Sequence, residues 1–146
     1  MSEDELSSAA ERLLAGFDFA RATAASDEAH RREIEGLLRG FLNVVDSLEA
    51  LERHTRDLAD ASLHKTIARI VTQVHGMLEQ AGVERLDSVG TALDLNNSEV
   101  IDVRADGGVA DDTIVEEIVR GYRWRNRLLR QAKVVIGTSS GRESDR

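Results

Sequence analysis

Side chains able to do chemistry are present in this chain, but their spacing brings few of them together. The four histidines are His30, His54, His64 and His75. His64 and His75 lie eleven positions apart, about three turns of a helix, which is too far along the axis to share a metal ion. The histidines are therefore read as solvated groups on helix faces, and no metal site is assigned. Cysteine is absent, which removes disulfides, thiolate nucleophiles and thiol metal ligands together. Gly107–Gly108 lacks the flanking pattern of a phosphate-cradling loop and reads as a turn. No serine, histidine and acid stand in a nucleophile context. Acidic residues are abundant, but they fall on helix faces, where solvated charge explains them. The expectation is a protein that is not an enzyme and carries no cofactor.

Composition narrows the partners. The formal net charge is −8 with a pI near 5.0, which argues against non-specific binding to nucleic acid or to an anionic membrane. No apolar run approaches the roughly 18–20 residues needed to span a bilayer. The opening MSEDELSSAAERLL is acidic, unlike a signal peptide, so a cytoplasmic location is expected. Hydrophobic residues make up 41% and aromatics only 3%, so the core must be mostly aliphatic. Proline is absent, which permits long unbroken helices.

The elements are organised around a helical hairpin, Ile34–Ala81. In its first arm Ile34, Leu38, Phe41, Val45 and Leu48 recur at steps of four and three, one side of a 3.6-residue helix. Leu37, Leu42, Val44 and Leu51 widen that stripe. The second arm repeats the pattern with Leu63, Ile67, Ile70, Val74, Met77 and Ala81, widened by Val71 and Leu78. Ser62 is the expected N-cap of this arm and Gly82 its C-cap. Two stripes this wide cannot cover each other, so a second copy is expected to complete a four-helix bundle across a two-fold axis. Dimerisation is placed on Ile34, Leu38, Phe41, Val45, Leu48, Ile67, Ile70 and Val74. Upstream the seam continues through Arg31, Asp27, Ala24, Ala20, Phe17, Leu13, Ala10 and Leu6, a heptad pattern that favours a paired coiled coil of roughly 60–65 Å. It is a weak one, because Asp27, Arg31 and several alanines occupy the seam and Gly16 lies within it. The alternative is a single frayed helix that pairs only from about Ile34 onward.

After Gly82 the period changes. VERLD is a short strand, SVGTALDLNN a loop, and EVIDVRAD a strand with Ile101 and Val103 on one face and Val100 and Asp102 on the other. DDTIVEEIVRG is ambiguous: Ile114, Val115, Ile118 and Val119 suit one face of a short helix, slightly favoured, yet its β-branched content suits a strand equally. RLLRQAKVVIG alternates as a single strand, with Leu128, Ala132, Val134 and Ile136 against Leu129, Gln131, Lys133 and Val135. The tail TSSGRESDR is expected to be disordered.

The C-terminal third carries a resemblance. VEEIVRGYRWRNRLLRQAKVVIG resembles the closing β-hairpin of the GrpE family, the nucleotide exchange factors of DnaK-type chaperones. That family reads G-Y, then G-R, then L-R-P-A-x-V, and Gly121, Tyr122, Arg127, Leu129, Arg130, Ala132 and Val134 occupy those places. LLRGFLNVVDSLEAL resembles its leucine-rich second helical segment through Leu38, Leu42, Val44, Asp46, Leu48 and Leu51. MLEQAGVERLDSVGTALDLNNSEVI resembles the stretch around its G-V-E and L-D-P-x-x-H motifs through Leu78, Gly82, Val83, Glu84, Leu93, Asp94 and Ile101. DFARATAASDEAHRREIEGLLRGF is similar to the end of its long helix, so the likeness covers roughly residues 18–136. This chain departs from the family at Asn43, Leu95 and Gln131, where proline is usual, at Ser98 in place of histidine, and at Asn126 in place of glycine. Asn126 still tolerates the positive φ of a tight turn. Without proline near Asn43, the long helix and the first hairpin arm can be continuous. The N-terminal extension is short for the family.

The resemblance implies an α+β homodimer: an N-terminal coiled-coil helix (1–33), a hairpin forming the dimeric bundle (34–82), a small β-domain that binds the chaperone (83–137) and a tail (138–146). It implies binding to the ATPase domain of a DnaK-type chaperone, with ADP released and no covalent chemistry. Arg127 matches the arginine that reaches toward the chaperone. Ile118, Leu93, Leu95 and Ile136 match an apolar contact patch, and Arg130 is placed in the same binding set. The rival expectation is a dimeric coiled-coil scaffold that has lost exchange activity.

Overall fold

The computed structural model describes residues 2–106 and 108–139; Gly107 of the expected turn and positions 140–146 of the expected tail lie outside the described residues. The architecture is α+β, with two helices followed by six strands among the described residues. Two units divide at residue 38, one of residues 1–38 and one of residues 39–146.

Helix α1 runs unbroken over Glu3–Thr55, as a chain without proline allows. Its start is a reciprocal capping box: the Ser2 N–H donates to the Glu5 carboxylate at 2.9 Å, and the Glu5 N–H to Ser2 Oγ at 3.4 Å. Glu3, Asp4 and Glu5 also suit the positive end of the helix dipole. In the first unit the described side chains are nearly all exposed, including Leu6, Leu13, Leu14, Phe17, Phe19 and Ile34. Arg31, at a seam position, pairs with Glu28 at 3.0 Å on its own helix.

In the second unit α1 ends and α2, Ala61–Gln80, returns. The N-cap is Asp60 rather than Ser62: its Oδ1 accepts the N–H groups of Ser62 and Leu63, both at 3.0 Å. A carboxylate offers two strong acceptor sites and meets the helix dipole with a full charge, so it outcompetes the serine two positions on. The C-cap is Ala81, and Gly82 follows it at φ +81, a left-handed position that glycine occupies without strain.

The strands form two three-stranded sheets. Sheet I has the order β1–β4–β5, from Val83–Leu86, Gly121–Trp124 and Arg127–Arg130. Sheet II has the order β2–β6–β3, from Ser98–Ala105, Ala132–Thr138 and Thr113–Val119, with β2 parallel and β3 antiparallel to β6. Ile114, Ala132, Val134 and Ile136 make the core of sheet II, with Leu93 and Val100 packed against it. Val83, Tyr122, Trp124 and Leu129 are buried in sheet I.

Three expectations change here. Thr113–Val119 is a strand, not a helix, because its β-branched residues pair across β6 in a register that sets Ile114 against Ile136. RLLRQAKVVIG is two strands in two different sheets, parted at Gln131, and the break inverts the expected faces so that Leu129 is buried and Leu128 only half-buried. Position 138 belongs to β6, and Ser139 is tied down by N–H and Oγ donation to Asp111 Oδ1 at 2.6 and 2.8 Å. Those two bonds, the backbone one first, hold the Asp111 carboxyl below its usual range.

Among the described residues the chain passes between the sheets three times, once through the loop of residues 87–97 from β1 to β2 and twice through a single residue: Arg120 between β3 and β4, and Gln131 between β5 and β6. The two single-residue crossings touch at Gly121, where an added Cβ would lie 2.8 Å from the Ala132 backbone nitrogen and 3.2 Å from the Ala132 Cβ. Gly121→Ala should therefore cost about 1–3 kcal/mol of stability by overpacking. A urea midpoint equal to that of the parent would show that the crossing has room.

Candidate functional site

The β4–β5 hairpin is built for a tight turn. Arg125 and Asn126 both have positive φ, +47 and +65, the signature of a two-residue type I′ connection whose twist suits antiparallel strands. Asn126 tolerates that geometry; Arg125 adopts it with its guanidinium over the Trp124 ring, 5.0 Å from the centroid. Trp124 is itself fixed by Nε1–H donation to the Ala81 carbonyl at 3.0 Å. Arg127 is the first residue of β5, paired with Trp124 in register, and its side chain is exposed.

The other site residues fall in different environments. Leu95 is 69% exposed, in the loop before β2. Ile118 is 52% exposed on β3 and lines a cleft with Asp46, Glu49 and Arg120. These three exposed positions, Leu95, Ile118 and Arg127, lie on a loop, on sheet II and on sheet I. Leu93 is half-buried against the sheet II core, and its N–H donates to the Asp112 carbonyl at 2.9 Å. Ile136 is 7% exposed and belongs to that core. Its side chain backs the sheet instead of facing solvent.

Arg130 is turned inward. Its Nη1 and Nη2 grip the Asp46 carboxylate at 2.7 and 2.9 Å, and its Nε donates to the Arg120 carbonyl at 3.0 Å. It also stacks over Tyr122, 5.5 Å from the ring centroid. Next to this fork, Arg120 Nε lies 3.2 Å from Glu49 Oε2, and Glu49 Oε1 meets His75 Nε2 at 2.8 Å. Tyr122 shares this surrounding, and burial, followed by the Glu49 charge, pushes its phenol above the ordinary value. Spacing alone could not reveal this cluster, since Asp46 and Arg130 are 84 positions apart.

Two of the positions that lack the proline of the resembled pattern meet each other. Gln131 Nε2 donates to the Leu95 carbonyl at 3.1 Å. The loop between is stiffened by Asp94, which accepts the Asn96 N–H at 2.9 Å and Asn97 Nδ2 at 2.7 Å. Asn97 in turn accepts Ala132 N–H at its carbonyl, 2.9 Å, and Arg123 Nη2 at its side chain, 3.2 Å. Ser98 is buried at the start of β2. Hydrogen bonds here hold a loop that proline would otherwise restrict.

The dimerisation positions also divide. Val45 and Ile67 are already buried within one chain, at 1% and 7% exposure. Leu38, Leu48 and Val74 are half-buried, while Ile34, Phe41 and Ile70 remain exposed. Among the described residues no helix is long and apolar enough to cross a membrane.

Comparison with known proteins follows the same span. A family model described as GrpE matches residues 2–138. A curated protein named Protein GrpE from Synechococcus sp. (strain CC9605) is 30% identical over 142 residues, covering 94% of this chain and 63% of its own length. Protein GrpE from Syntrophobacter fumaroxidans is 32% identical over 108 residues, covering 73% of this chain and 57% of that protein. Protein GrpE from Legionella pneumophila (strain Corby) is 26% identical over 110 residues, 75% of this chain and 55% of that protein. This chain thus spans 55–63% of the length of these three relatives.

Proposed function

The chain belongs to the GrpE family, and from that premise we propose that it is a co-chaperone: a nucleotide exchange factor that accelerates ADP release from a DnaK-type chaperone. The observation that carries this reading is the family match over residues 2–138, which takes in both helices and all six strands. The surface offered to the chaperone's ATPase domain is Arg127 with Ile118 and Leu95. Leu93, Ile136 and Arg130 support it from within the fold. The factor performs no covalent chemistry. It acts as a ligand that prefers the open nucleotide cleft, and its effect is limited by that preference.

The active form in this reading is a cytoplasmic homodimer paired through the hairpin, with residues 1–33 as the coiled-coil helix. Stopped-flow release of a fluorescent ADP analogue from the host's DnaK-type chaperones tests the function directly. Acceleration that saturates with added protein is expected. Unchanged release from every such chaperone of the host would reject exchange activity and leave the dimeric scaffold.

The first unit should be the first part to melt. Its apolar side chains are exposed along α1, and Asp27 and Arg31 interrupt the seam that would pair them. A helix without packed neighbours is marginal in water. Far-UV circular dichroism should show a reversible loss of helicity below the main transition. Asp27→Leu combined with Arg31→Leu should move that first step upward. A single sharp transition, unmoved by the double substitution, would mean that the seam is not the weak element.

A further inference from the structure

We propose that Asp46 and Glu49 are positioning residues that set the orientation in which the helical hairpin presents the sheets, an inference that rests on the exchange-factor reading above. The two acids are three positions apart, so they share one face of α1. Each holds one side of the place where the sheets exchange strands. Asp46 takes the fork of Arg130, the last residue of β5, immediately before the Gln131 crossing. Glu49 takes Arg120, which is itself the other single-residue crossing, and links it to His75 of α2. Arg130 ties the two crossings together through the Arg120 carbonyl at 3.0 Å.

This cluster is suited to fixing an angle. Apolar packing is non-directional and tolerates rocking, whereas a bidentate guanidinium–carboxylate pair constrains both distance and plane. Glu49 at 8%, Arg130 at 19% and Arg120 at 29% exposure are withdrawn from water, while Asp46, at 36%, is held at the edge of the cluster by both branches of the Arg130 fork. Arg120 lies two positions after Ile118, and Arg130 three positions after Arg127. The clamp thus grips the chain close to two of the three proposed contact residues. Other ties remain when it is weakened: Arg39 Nε donates to the Leu129 carbonyl at 2.9 Å, and Trp124 to Ala81 at 3.0 Å. Loss of the clamp should therefore loosen orientation without unfolding the strands.

An exchange factor works by preferring one state of its partner. A contact surface free to rock fits the open and closed clefts more equally. Binding then survives while the power to open the cleft declines.

The test uses the full chain, which has no native cysteine to confuse labelling. Spin labels at Lys65→Cys on α2 and Glu99→Cys on β2, both exposed, report the hairpin-to-sheet distance when diluted into unlabelled protein. The parent should give a narrow distance distribution. Asp46→Asn should broaden or shift it with the circular dichroism unchanged, and Arg130→Lys, which keeps the charge but lacks the fork, should do the same. In the ADP-release assay both variants should lower the maximal rate at saturation about tenfold, while the half-saturating concentration moves less than about threefold. A parent distribution that is already broad, or variants that match a narrow parent, would overturn the proposal. So would a change in half-saturation alone with the maximal rate intact. Should Asp46→Asn lose its fold, Arg130→Lys decides by the same criteria. Failure of the parent to accelerate ADP release from the chaperone would count against the exchange reading, and the label distances would still decide the clamp.

Discussion

Phe41→Asp should convert the proposed dimer to a monomer at micromolar concentration. Light scattering should fall from twice the 16.1 kDa chain mass to that mass. The reason lies in how the hairpin's wide apolar stripe is divided. Leu42, Val45, Ile67 and Leu78 are spent within one chain, at 0–7% exposure. Phe41, Val44 and Leu51 on α1 stay exposed, as do Leu63, Ile70 and Met77 on α2 at successive steps of seven. Among the described residues these heptad stripes stay open to solvent, and a second copy would supply their partner. An aspartate there would bury an unpaired charge, at a cost of about 3–5 kcal/mol, incurred on both sides of a two-fold interface. The dissociation constant should rise roughly ten-thousandfold or more. Trp124 fluorescence should be retained, because that side chain is anchored to Ala81 in its own chain. A substituted protein that remains a dimer would move the interface elsewhere.

Arg127→Ala should weaken chaperone binding by about 1–3 kcal/mol, roughly 5- to 150-fold in affinity, while dimer mass and thermal melting stay unchanged. Arg127 is exposed at the start of β5 and follows a turn whose two residues have no latitude, with φ at +47 and +65. An exposed guanidinium beside such a turn can take a carboxylate of the partner bidentately. The neighbouring arginines are the control. Arg123 is committed to Asn97, Arg125 to the Trp124 ring and Arg130 to Asp46. Arg127 is the position that matches the arginine of the family's turn and is exposed there, so Arg123→Ala should affect binding much less than Arg127→Ala, as read by titration calorimetry against the chaperone's ATPase domain. Equal and negligible effects of the two substitutions would show that Arg127 is misassigned.

Periodicity and capping chemistry act over a few neighbours, and these parts of the fold were legible in the residues themselves. Absence of proline allowed α1 to run through Asn43 without a break. The hairpin arms followed from apolar steps of three and four, and Gly82 marked the end of α2 by the positive φ it supplies. The motif order from Gly121 to Val134 carried the family likeness. Distant partners decided the rest. Thr113–Val119 became a strand because β6 offers it a register; local preference, with helical spacing and β-branched content in balance, could not decide between helix and strand. Gln131 parts β5 from β6 because the chain must leave one sheet for the other, so the alternation read across it joined two unrelated faces. Ile136 went to the core and Leu95 to the surface although both are apolar, since Ile136 lies on the covered face of β6 and Leu95 in the loop before β2. Arg130 looked like its neighbouring arginines until Asp46, 84 positions away, lay within hydrogen-bonding reach. A charge acquires its role from the partner that the folded chain brings to it, and that partner is set by tertiary packing.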